Sequence, residues 1–254
     1  MLTKENNIAT ITLNRPDKLN SVTLQMVEEL TSALDDVSAD KDIRVLLVTG
    51  AGRAFCSGFD VSMMMGVADD LIVLPGENSI DLVMLKFRDM VKPSIAAVNG
   101  LASGMGFSIA MSCDMRIASD ASRFSQIFVK RGLIPDTGST YFLPRLVGIA
   151  KACEMVFTGD FVDAQEAARL GIVNRVVPAD EMMTSAMELA TKIANGPPIT
   201  IQLAKRALYR GLETDLDVQL EYEMYQQSIC MKTEDFQEGV NSFLEKREAH
   251  FKGK

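Results

Sequence analysis

The stretch from Ser94 to Asp114, SIAAVNGLASGMGFSIAMSCD, constrains the fold more than any other part of the chain. An apolar run at Ile95–Val98 breaks into Asn99-Gly100 and Gly104-Met105-Gly106, then resumes at Phe107–Met111. The pattern predicts a buried strand, a glycine loop and a helix that begins near Gly104. Glycines let a ligand lie against the backbone, and a helix start offers unpaired N–H groups at the positive end of its dipole. Such a corner suits an oxyanion. No charged residue lies between Lys92 and Asp114, so a membrane span has to be weighed. Asn99, Ser103, Ser108, Ser112, three glycines and the leading Pro93 make a poor hydrocarbon segment, and a buried element beneath a binding site is the better reading.

A chain of 254 residues with 47% hydrophobic and 24% charged residues is globular and long enough to bury a large core. Its net charge of −8 argues against a nucleic-acid partner, which needs a clustered basic surface. The N-terminal MLTKENNIATITL has neither an apolar h-region nor a cleavage site, so it does not read as a signal peptide. Cys56, Cys113, Cys153 and Cys230 follow no disulfide or metal spacing, which leads to the expectation of a reducing cytoplasm. His250 is the only histidine. Its place near the C-terminus argues against Ser-His-Asp chemistry and His-dependent zinc sites, and no bound metal is expected.

Along the chain, Ile8–Leu13 alternates as a half-buried strand does and ends at the turn Asn14-Arg15-Pro16-Asp17. Leu24, Val27, Leu30, Leu34 and Val37 recur at helical spacing from Thr23 onward. Ile43–Val48 predicts a second strand, buried on both faces, which feeds the glycine-punctuated loop from Gly50 to Asp60. Residues 62–77 have no clean period; they are either a Met-rich segment able to adapt to an acyl chain or a surface loop. Leu82–Val91 is helical, Met115–Ala118 a strand, and a loop with short helices leads to Gly132–Gly138. Asp163 to Glu166 is a capping-box pattern for a helix that Gly171 ends, and Ile172–Val177 is the last strand. From Asp180 the chain is helical, broken at Gly196-Pro197-Pro198 and near Gly211. The expectation is an α/β core, residues 1–195, followed by a helical region, 196–254.

Two glycine corners, around Cys56 and around Met105, each follow a buried strand. They are ordinary turns or, if the strands are neighbours in one sheet, places where two backbone N–H groups converge on one oxygen.

The resemblance is carried by several blocks together: Asn14-Arg15-Pro16 with Lys18-Leu19-Asn20, Ala54–Val61, Ala97-Val98-Asn99-Gly100 with Gly104-Met105-Gly106, Gly132-Leu133-Ile134-Pro135-Asp136, and Phe243–Arg247. In order and over nearly the whole chain, they resemble the signature blocks of the crotonase (enoyl-CoA hydratase/isomerase) superfamily. The resemblance implies a spiral of ββα units, a C-terminal helical region that builds trimers or dimers of trimers, and a coenzyme A thioester as substrate. No cofactor is implied beyond the coenzyme A that the substrate brings. Carried over by position, the two oxyanion N–H groups belong to Cys56 and Met105. The coenzyme A moiety would run past Lys18 and Leu19 and past Ala54, Cys56, Ser57, Gly58, Asp60 and Val61, with Gly104 beside it. Phe243 and Lys246, supplied by a neighbouring subunit, either touch the coenzyme A or simply pack their helix.

Hydratases of this family use two glutamates. Aligned through the glycine blocks, those positions hold Ser108 and Phe128, neither of which transfers a proton as a carboxylate does. Asp136 remains. It resembles the single acid of the isomerase branch, which includes ring-expanding 1,2-epoxyphenylacetyl-CoA isomerases, and enclosure by Phe128, Leu133 and Ile134 would raise its pKa. Asp136 can also be read as the N-cap of a helix over Thr137–Leu143. A dehalogenase of the family would need a histidine base and a tryptophan, and the chain has no Trp. The sequence thus points to an enoyl-CoA isomerase with Asp136 as proton shuttle. A weak hydratase and a non-catalytic acyl-CoA binder are the alternatives.

Overall fold

The computed structural model describes residues 1–63 and 80–254. Its strands are β1 (Leu2–Glu5), β2 (Ile8–Leu13), β3 (Val45–Gly50), β4 (Ala54–Cys56), β5 (Ser94–Val98), β6 (Leu101–Ser103), β7 (Met115–Ser119), β8 (Arg123–Ser125), β9 (Val162–Asp163) and β10 (Arg175–Val177). Its helices are α1 (Leu24–Ala39), α2 (Ile80–Asp89), α3 (Met105–Ser112), α4 (Ser139–Val147), α5 (Ile149–Thr158), α6 (Ala164–Arg169), α7 (Met182–Ala194), α8 (Pro198–Gly211), α9 (Leu216–Cys230) and α10 (Glu234–Glu245).

Two sheets form, with orders β1-β2-β3-β5-β7-β10 and β4-β6-β8-β9. In the larger sheet only β1–β2 is antiparallel. Each of β3, β5 and β7 is followed by a short strand of the smaller sheet, where β4, β6 and β8 again lie parallel. Strand, short strand and helix therefore repeat, and the sheet winds as a spiral rather than lying open.

Alternation along the large sheet serves two cores. Ala9, Ile11, Leu46, Val48, Ala96 and Val98 face α1, α2 and α3, whereas Ile8, Val45, Leu47, Ile95, Ala97 and Ile117 pack on Met182, Ala186, Ala190 and Ala194 of α7. The fully buried run in β3 is thus what a strand covered on both faces requires. Helix α1 starts where Thr23 accepts a hydrogen bond from the Met26 N–H at 3.2 Å.

Sequence reasoning missed five strands, β1, β4, β6, β8 and β9. β1 pairs with β2 across Asn6-Asn7, both at positive φ (51° and 64°), which makes the tightest hairpin connection. β4 and β6 lie inside what reads as glycine loop, because three-residue strands carry no period. The Asp163 side chain does accept from the Glu166 N–H at 2.8 Å, but the Glu166 carboxylate turns to Arg169 rather than closing the box. Among the described residues no helix is long and apolar enough to cross a membrane. The segment 62–77 lies outside the described residues except for Ser62 and Met63.

Candidate active site

The β3–β4 loop is held from two sides by asparagine amides. Asn20 donates to the carbonyls of Ala51 (2.9 Å) and Ala54 (2.7 Å), while its own carbonyl oxygen accepts from the Arg15 N–H at 2.8 Å. Asn99 donates to Gly50 (2.9 Å) and Gly52 (2.7 Å). Downstream, the Ser57 N–H donates to Leu19 and the Val22 N–H to Gly58, and the Asp60 N–H returns to Val22. The N-terminal Asn-Arg-Pro block therefore acts as a clamp on the loop after β4.

Helix α3 begins at the end of β6 and passes directly beneath β4. A Cβ on Gly106 would stand 2.2 Å from the Cys56 carbonyl oxygen, so only glycine allows this approach. Between loop and helix opens a cavity of about 270 Å³. Of the residues expected at the ligand, Lys18, Ser57, Gly58, Asp60, Val61, Gly104, Met105 and Asp136 line it. Leu19, Ala54 and Cys56 do not. Phe243 and Lys246 lie exposed at the end of α10 and do not line it within one chain.

The placement of Cys56 requires a correction. Cys56 pairs with Ala102 in the β4–β6 ladder and is fully buried, so its peptide serves the small sheet. Burial also pushes its thiol up to about 12, which makes it inert. Phe59, three residues on, lines the cavity. The Gly58 carbonyl accepts from Val22, and in a trans peptide the Phe59 N–H points the opposite way. It has no hydrogen-bond partner among the described residues, and neither does the N–H of Met105, the first residue of α3. Gly58 adopts φ +106°, and a Cβ there would sit 3.7 Å from the Met105 nitrogen, which fixes how close the two corners are. The sequence signal was available in Gly58 itself: a positive-φ glycine redirects the peptide that follows it.

Asp60 and Asp136 are the carboxylates among the described lining residues. Asp60 is committed. Ser62 and Arg15 hold it, the latter as an ion pair at 3.0 Å, and these bonds bring its carboxyl down to about 2. Among the described residues Asp136 is in no ion pair, and the one other residue that donates to its side chain is Thr137, through its hydroxyl at 3.2 Å. Loss of hydration beside apolar neighbours pushes it above the ordinary carboxylate range, opposed by Thr137 and assisted by the charge of Asp81. Ile80, Ile127, Phe128 and Leu133 line the same cavity; Ile134, expected to enclose Asp136, points outward at 78% exposure. Nor does Asp136 cap a helix. Helix α4 starts later than expected, at Ser139, and its cap residue is Gly138. Thr137, a β-branched residue at φ +49°, stores local strain next to the carboxylate.

Ser108 and Phe128 stand where the sequence placed them. Phe128 is an apolar wall of the cavity, and Ser108, fully buried on α3, bonds the Ser139 hydroxyl at 2.7 Å. The arrangement offers two unpaired N–H groups, one available carboxylate and an apolar chamber. It is suited to hold a developing oxyanion while one group moves a proton.

A family model described as enoyl-CoA hydratase/isomerase matches residues 3–254. The chain is 38% identical to a short-chain-enoyl-CoA hydratase of Clostridium acetobutylicum, over 97% of this chain and 95% of the relative. It is 37% identical to a 1,2-epoxyphenylacetyl-CoA isomerase of Escherichia coli, over 98% of this chain and 97% of the relative. The crystal structure of an enoyl-CoA hydratase from Bacillus anthracis superposes with a TM-score of 0.94 at 34% identity, covering 100% of this chain and 99% of that one.

Proposed function

The chain belongs to the enoyl-CoA hydratase/isomerase family, and on that premise we propose that it is an enoyl-CoA isomerase. It moves a double bond, or rearranges a ring, in the acyl group of a coenzyme A thioester. The observation that carries this reading is Asp136, the one carboxylate among the described lining residues that is not held in an ion pair.

In a 3-enoyl-CoA the thioester acidifies C2. The Asp136 carboxylate takes a proton from C2, and the electron pair flows into the thioester oxygen. The N–H groups of Phe59 and Met105 hold that enolate oxygen, each contributing about 2.7–4 kcal/mol by mutational precedent. Protonated Asp136 then returns the proton to C4, and the double bond is left between C2 and C3. No atom is gained or lost. A base of raised pKa is a better proton acceptor and still gives the proton back, which suits a shuttle.

Lys18, exposed and lining the cavity, would meet the anionic end of coenzyme A. A neighbouring subunit supplies Phe243 and Lys246 to the same ligand, and residues 196–254 build the trimer or dimer of trimers. The cytoplasmic placement rests on the four cysteines, all unbridged. The hydratase reading draws on relatives so named, such as that of Clostridium acetobutylicum. It lacks a second carboxylate, since Ser108 and Phe128 occupy the relevant positions.

The test is absorbance at the conjugated-thioester band with a 3-enoyl-CoA and, separately, with a 2-enoyl-CoA. Growth of the band from the first substrate, lost in Asp136→Asn, supports the isomerase. Decay of the band from the second, with a hydroxyacyl product and no reaction of the first, would make the protein a hydratase.

A further inference from the structure

Ser108 and Ser139 are fully buried, line no part of the cavity, and yet connect its two chemical halves. The Ser108 hydroxyl lies 3.3 Å from the Gly104 carbonyl oxygen and 2.7 Å from the Ser139 hydroxyl. A hydroxyl has one proton to give and two lone pairs to accept with. If Ser108 donates to Gly104, then Ser139 must donate to Ser108, and the direction of the chain is fixed. The Ser139 hydroxyl is free for this, since it makes no other hydrogen bond among the described residues.

The Gly104 carbonyl and the Met105 N–H belong to one peptide group. A donor on the carbonyl draws electron density toward oxygen and makes the N–H on the other side a stronger donor. The reverse also holds: when that N–H binds an anion, the carbonyl becomes a better acceptor and the 3.3 Å link tightens. The backbone N–H of Ser139 donates to the Asp136 carbonyl at 2.9 Å. One pair of serines thus touches the peptide of an oxyanion donor and the segment that carries the base.

We propose that Ser139 and Ser108 form a two-hydroxyl relay that polarises the Gly104–Met105 peptide and holds its N–H in register with Asp136. Both are positioning residues. The relay rests on the reading of Met105 as an oxyanion donor, and its effect on rate rests on the isomerase reading.

The experiment has two readouts on the full-length protein. In an Asp136→Asn background, where turnover is suppressed, cinnamoyl-CoA is bound and the thioester C=O stretch is recorded by Raman difference spectroscopy. The protein is expected to move the band to lower wavenumber, and Ser108→Ala and Ser139→Ala each reduce that displacement. In the Asp136 protein, kcat for 3-enoyl-CoA conversion is expected to fall about two- to eightfold in each variant, with KM held within about twofold. The double variant loses no more than Ser108→Ala alone, because the two hydroxyls act in series. Ser108→Cys keeps the volume with a weak donor and shows the same loss; it replaces Ser108→Ala should that variant not fold.

A carbonyl band and a kcat that stay unchanged in folded Ser108→Cys and Ser139→Ala overturn the relay, as does a fall in Tm with kcat intact. If the parent enzyme isomerises nothing, the isomerase reading fails, and the spectral readout alone still decides the relay.

Discussion

Asp136 is the residue on which the proposed chemistry depends. Its pKa is raised by lost hydration, so the native state holds the Asp136 proton more tightly than the unfolded chain does. That contribution to stability is present below the ordinary carboxylate value near about 3.9 and is lost as pH rises through the folded value. Ionised Asp136 therefore weakens the fold at neutral pH. Asp136→Asn, neutral throughout, is expected to raise Tm at pH 7, with the gain vanishing toward low pH; thermal scans at several pH values check this, and a lower Tm at pH 7 would contradict it. The same raised value sets the acid limb of kcat/KM. Activity should fall with decreasing pH at a midpoint above the ordinary carboxylate range, and the limb should disappear in Asp136→Asn along with a rate loss of about 10²–10⁴. Asp60 cannot replace it as the base, since Ser62 and Arg15 keep it ionised down to about pH 2.

At the element scale, β4 and α3 are one unit. The Cys56 carbonyl lies against Gly106 so closely that Gly106→Ala must push backbone against backbone. Overpacking costs typically about 1–3 kcal/mol, and a rigid contact belongs at the upper end or beyond. Urea unfolding should show that loss with little change in slope. The two-corner arrangement was legible from the sequence because Ile43–Val48 and Ile95–Val98 both read as buried strands, and β3 and β5 are indeed parallel neighbours. What was not legible was the three-residue strand after each. Ala54–Cys56 is too short for a period, so neither its pairing with β6 nor the fact that Phe59 rather than Cys56 lines the cavity could be foreseen. Asp136, singled out from the sequence, lines the cavity, but its surroundings differ from those expected. The turn at Thr137 and Gly138, both at positive φ, delays α4 and frees the carboxylate from capping.

At the scale of the molecule, the C-terminal helices leave large apolar side chains in the open. Leu208, Leu216, Met224 and Phe243 are 75%, 74%, 71% and 82% exposed on α8, α9 and α10. Apolar surface of that extent fits association with further copies of the chain. Sedimentation should give the mass of a trimer or of a dimer of trimers. Leu216→Glu with Met224→Glu should yield smaller species and a raised KM for acyl-CoA, because Phe243 and Lys246 would no longer reach a neighbour's ligand; a monomeric parent would contradict this. The central claim is that a single carboxylate takes a proton and gives it back two carbons away. Its most direct test is conversion of a 3-enoyl-CoA deuterated at C2, with the product read by NMR. The account predicts 2-enoyl-CoA that carries deuterium at C4, with both product and transfer abolished in Asp136→Asn. A substrate left unchanged by the parent enzyme, or conversion undiminished in Asp136→Asn, would contradict it.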